Sequence, residues 1–161
     1  MKKTVQWILA VAVVLAVVIQ FIRPEMGNPP IDAALTLENV AHISPATLAQ
    51  LRTSCFDCHS NETRWPWYSG VAPMSWLLAR DVREGRKRLN FSAWGKYATS
   101  RRVSLLGRIA EEVSSGDMPL PPYLLLHAEA RLSGAAKDSL VSWAENEQDR
   151  LFTGQAVGGG E

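Results

Sequence analysis

The stretch 54-SCFDCHS-60 holds both cysteines of the chain, with a histidine directly behind the second. A Cys-x-x-Cys pair serves three chemistries: a redox disulfide, half of a zinc site, or covalent attachment of a c-type haem. The surrounding sequence has to choose among them.

Upstream, Ser44 followed by Pro45 is an N-cap with a proline at the first helical position. Leu48, Leu51 and Cys55 then recur at helical spacing, so a helix runs into the Cys-x-x-Cys. Downstream, a second helix is expected from Pro73, with Leu78, Val82, Gly85 and Leu89 on one face. A third covers about 101–114, carries Leu105, Leu106, Ile109 and Val113, and stops at Gly116. Pro121 and Pro122 open a short fourth piece. Ser133 can cap a final helix with Ala136, Leu140, Trp143 and Ala144 as its buried stripe. No segment alternates with period two for long enough to be a strand, so the expected class is all-α.

Farther out, residues 4–22, TVQWILAVAVVLAVVIQFI, are almost continuously apolar. As a helix they span about 28 Å, close to the hydrocarbon core of a bilayer. Lys2 and Lys3 precede the run, and Arg23 after it is offset by Glu25, so the N-terminus is expected in the cytoplasm and the rest across the membrane. The competing reading is a cleaved signal peptide, for which IQFIRPEM offers no small-residue site. Four regions are expected: an anchor at 1–23, an extended tether at 24–43 rich in proline, a domain at 44–151, and a flexible tail at 152–161 whose end is GQAVGGGE. Seventeen Lys and Arg against sixteen Asp and Glu give a net charge of +1, with no basic stripe to suggest a nucleic-acid partner.

A thioredoxin-type pair sits at a helix start after a strand, and this pair sits at a helix end in an all-α chain. Structural zinc takes four protein ligands, and beyond the two thiols the chain offers only His42, His59 and His127. Zinc stays open on that count. A disulfide is permitted outside the cytoplasm, but residues three apart close a loop too small to restrain the unfolded chain much. Haem attachment explains all three residues together. On one helical turn Cys55, Cys58 and His59 face one way, the thiols can add to the two vinyl groups of a porphyrin, and the imidazole can reach the iron.

The motifs CFDCHSNETRWPWYSGVAP, GRKRLNFSAW, GDMPLPPY and YLLLHAEARLS extend over roughly residues 40–148. In these the chain resembles the haem-binding domain family of small, membrane-anchored bacterial c-type cytochromes. The resemblance implies a cytochrome c-like domain around one covalently attached haem c, with Cys55 and Cys58 as attachment points and His59 as an iron ligand.

Candidates for the sixth ligand are Met118, His127, Met74, His42 and Met26. Met118 lies in a loop stiffened by Pro119, after a third helix, where typical class I cytochromes c place a methionine. His127, on a short helix nearby, is the competitor. Trp65, Trp67 and Trp76 cluster near the motif and are expected as haem walls, with the indoles of Trp65 and Trp67 and the guanidinium of Arg64 or Arg80 as propionate partners. A solvated helix face is the expected role of Arg83, Arg86, Lys87 and Arg88. The expected function is electron transfer with unidentified redox partners at the periplasmic face of the bacterial inner membrane, without enzymatic activity. The rivals are a haem-based redox or gas sensor, and a peroxidase-like enzyme with an open distal side.

Overall fold

The computed structural model describes residues 1–158, and among these no strand occurs. Seven α-helices follow along them: α1 Lys2–Val18, α2 Leu37–Val40, α3 Pro45–Ser54, α4 Phe56–His59, α5 Met74–Arg88, α6 Thr99–Ser115 and α7 Gly134–Gly158. Short 3-10 turns join them, and the all-α class is as expected.

The start and stop signals act where the sequence places them. The Ser44 hydroxyl accepts from the Thr47 amide at 3.1 Å and starts α3. Ser133 does the same for α7 through the Ala136 amide. At the end of α6 Gly116 takes φ +83°, a left-handed conformation that a Cβ would penalise, and its amide bonds the Val113 carbonyl.

The core forms where α6 and α7 lie against each other, with α3 leaning on α7. Leu105, Leu106, Ile109 and Val113 meet Leu140, Trp143 and Ala144, and Leu51, Phe56, Phe91 and Trp94 extend the cluster towards the cysteine turn.

The domain begins earlier than residue 44. Leu37 is 0% exposed and belongs to the core cluster. It opens α2, which with the preceding turn at Ala33–Leu35 packs against the Phe91–Lys96 segment. Prolines 24, 29 and 30 hid this, because the apolar Leu35, Leu37 and Val40 are too few to show a period. The stretch before it is extended but bound: Arg86 donates to the Gly27 carbonyl and the Asn28 side chain, and Asn28 donates to the Thr63 carbonyl.

The boundary drawn at 151 also moves, since α7 continues to Gly158. A helix already nucleated and packed over several turns extends at low cost through residues with no strong stop signal. Residues 159–161 of the expected tail lie outside the described residues.

Among the described residues one helix, Lys2–Phe21 with its closing 3-10 turn, is long and apolar enough to cross a membrane, and none of it is buried in the protein. Its end is fastened to the domain. Gln20 accepts from the Ala72 amide at 2.9 Å and donates to the Ala72 carbonyl, and the Trp76 indole donates to the Ile22 carbonyl at 2.7 Å. Trp76 is therefore a strut at the end of α1, not a wall of the cysteine turn.

Candidate functional site

Helix α3 does not run smoothly through the cysteines. Cys55 leaves it with φ −128° and restarts the chain as the single turn α4. The amides of Cys58 and His59 both bond the Cys55 carbonyl, at 3.2 and 2.9 Å, so the three residues share one turn.

His59 is the most constrained of them. Its Nδ1 lies 3.1 Å from the Gly85 carbonyl and 3.2 Å from the Leu89 carbonyl. Both partners only accept, so Nδ1 carries the proton and Nε2 keeps a free lone pair. Burial holds the ring below its ordinary pKa, partly offset by the two carbonyls, and favours the neutral form that binds metals. The approach of α5 depends on Gly85, where a Cβ would stand 2.6 Å from the Cys58 carbonyl oxygen.

The motif residues around this turn lock its backbone. Ser60 donates to the Phe56 carbonyl and accepts from the Glu62 amide. Asn90 donates to the Asn61 side chain at 2.8 Å and accepts from the Ser92 amide, while Ser92 accepts from the Asn61 amide. Arg86 binds the Ser60 carbonyl and the Thr63 hydroxyl as well as the 27–28 segment. Arg86 is thus a clamp rather than a solvated charge. Phe91 stacks on Phe56 at 5.1 Å and sets its ring edge-on to His59.

Two adjoining hollows open beside this turn, about 700 and 940 Å³ with their mouths included. Cys55, His59, Arg88, Met118 and Pro119 line both. Leu51, Leu89, Phe91, Leu105, Ile109 and Val113 make the first largely apolar, and Cys58, Arg80 and Tyr123 border the second. Met118 comes into the cleft on the loop after α6, its amide bonded to the Glu112 carbonyl at 3.0 Å. Farther along that loop the Tyr123 hydroxyl donates to Asp57 at 3.0 Å and ties the loop to α4.

Burial pushes the two thiols up, Cys55 to about 12 and Cys58 to about 11. At neutral pH they are thiols. A catalytic redox pair works through a thiolate, which needs an electropositive setting. No group of three or more His, Cys, Asp and Glu side chains is gathered for a metal among the described residues. An apolar slot, two protonated thiols and a neutral imidazole with its lone pair free are the donor set that a haem needs, and the residues fit it.

The other expected haem partners fall elsewhere. Trp67 is 84% exposed, and neither it nor Trp65 lines the cleft. Arg64 turns its guanidinium to Asp57, with contacts at 2.9 and 3.2 Å. Arg80 does border the cleft, and so do Arg88 and Arg108, which were missed. Arg108 follows the apolar Leu105 and precedes Ile109 on α6, so a residue flanking the buried stripe was the available signal. His127 has both ring nitrogens engaged, Nε2 with the Tyr68 hydroxyl at 2.6 Å and Nδ1 with Glu129 at 3.0 Å, and stacks on Tyr123. His42 is exposed, with its backbone held by α7. Met26 and Met74 do not line the cleft.

Comparison with curated proteins finds no match, and neither does comparison with solved structures. The model of the haem-binding domain family matches residues 14–146, from within α1 to within α7. With the match spanning most of the sequence and the donor set in place, the chain belongs to the haem-binding domain family.

Proposed function

We propose that this protein is a membrane-anchored monohaem cytochrome of the c type that carries electrons at the periplasmic face of the bacterial inner membrane. The carrying observation is His59, whose Nδ1 is pinned by two carbonyls so that Nε2 is the nitrogen left for iron. Cys55 and Cys58 would hold the haem by thioethers, each thiol adding its S and H across a vinyl group. His59 and Met118 would ligate the iron, and Arg88 and Arg108, which line the cleft, would pair with propionates. Bound there, the iron supplies a one-electron couple, which a methionine ligand shifts towards the reduced state. The engaged ring of His127 supports Met118 over it and weakens a peroxidase reading, which wants a free distal base. The apolar α1, with Lys2 and Lys3 in its first turn, supports the anchor and its orientation.

The test is a haem-stained denaturing gel with optical spectra. Colour should stay with the polypeptide and vanish in Cys55→Ala/Cys58→Ala. Met118→Ala should keep its haem, turn the ferric protein high-spin, bind carbon monoxide when reduced, and lower the potential. Rapid carbon monoxide binding by the wild type, with Met118→Ala changing neither spectrum nor potential, would replace the electron carrier by the sensor reading.

A further inference from the structure

The end of α1 meets the domain at one defined place. The Gln20 side chain closes a two-point clasp on the Ala72 peptide, and the Trp76 indole reaches the Ile22 carbonyl. Gln20 and Ile22 mark the last turn of the apolar span, so Ala72 and Trp76 stand at the level where such a span leaves the hydrocarbon.

The chain around that level is apolar and faces outwards. No charged residue occurs between Arg64 and Arg80. Within that run Trp67 is 84% exposed, Val71 45%, Met74 39% and Leu77 43%. Tryptophan in this setting is an interfacial residue, with an amphipathic ring that sits at headgroup level.

We infer that the face formed by Trp67, Val71, Met74 and Leu77 rests on the lipid surface that α1 enters, so that the domain has a fixed seat on the bilayer and does not swing on a tether. The inference rests on the anchor reading above. One consequence bounds the height of the cleft: α5 starts at this face and meets the cysteine turn at Gly85, about 16 Å along its axis, so that contact stands no more than that above the face. Redox partners would then meet the cleft close above the headgroups, within the plane to which the anchor confines the protein.

The experiment uses the full-length haem-loaded protein in vesicles of phosphatidylethanolamine and phosphatidylglycerol. The photo-crosslinking residue p-benzoylphenylalanine replaces Trp67, Leu77, Val13 or Phe152 in turn, with retained haem as the check on folding. Phe152 is an exposed apolar control on α7. After illumination the peptides carrying positions 13, 67 and 77 should gain the mass of a phospholipid, and the peptide carrying 152 should not. Adducts at 13 but none at 67 and 77 overturn the seat and leave the anchor standing. No adduct at 13 overturns the anchor and the seat with it. Equal adducts at 152 also overturn the seat, because contact with lipid would then not select a face.

Discussion

The two walls of the cleft are built differently. On the His59 wall the ring is held by two carbonyls, the α5 backbone touches Cys58 at Gly85, Phe91 packs beneath, and the Asn61–Asn90–Ser92 bonds fix the turn. On the Met118 wall the loop between Gly116 and Tyr123 is held by the amide of Met118 at one end and the hydroxyl of Tyr123 at the other. The first wall has little freedom to relax when one contact is lost, because side chains and backbone from several elements converge on it. The second can shift as a loop. On the proposed reading, a haem attachment site must not move, whereas a weak thioether ligand would need only a loop that returns it to one place.

Three substitutions break or sharpen that difference. Phe91→Ala empties the rigid wall beneath His59, and a buried Phe→Ala change costs about 3–5 kcal/mol. Denaturant unfolding should show that loss together with reduced haem retention, and a loss under about 1 kcal/mol would mean that the wall is not packed as described. Gly85→Ala comes next. Its Cβ meets a backbone carbonyl, which cannot rotate away, so α5 must retreat from Cys58 and lengthen the bonds to His59. A cost of about 1–3 kcal/mol is expected, with a changed spectrum if His59 ligates the iron, since its ring moves.

Tyr123→Phe is the smallest. It removes one hydroxyl from Asp57 and should cost about 0.5–1.5 kcal/mol while speeding carbon monoxide binding to the reduced protein, because the loop carrying Met118 is looser. If Tyr123→Phe proves as damaging as Gly85→Ala, the two walls are equally rigid and the comparison fails. If Gly85→Ala leaves the spectrum untouched, His59 is positioned by something other than α5.

Much of the fold was legible because its signals are local. Ser44 before Pro45, Ser133 and Gly116 each act on backbone groups within four residues, so the ends of α3, α6 and α7 that they mark are written in a few consecutive letters. The apolar stripe of α6 was equally legible, since its partners repeat along one helix. The site was legible in part for the same reason: Cys55, Cys58 and His59 share one turn. Residues whose role is set across the chain were not legible. Arg86 read as one of several solvated charges, yet its partners lie at Ser60 and Gly27, far away in sequence. Trp67 and Trp76 stood beside the motif in sequence and turned towards solvent and towards α1. Leu37 gave no periodic signal because a four-residue helix is too short to show one.

The sequence by itself determined the helical class, most of the helix starts and stops, the apolar N-terminal helix and the cysteine turn, since each depends on groups close along the chain. Only the tertiary structure decided which nitrogen of His59 is left for a metal, that Met118 rather than His127 comes into the cleft, and that the end of α1 is fastened to the domain. The reason is physical: a side chain's tautomer, exposure and partner are set by the groups that packing brings within about 3 Å of it, and those groups come from elements distant in sequence.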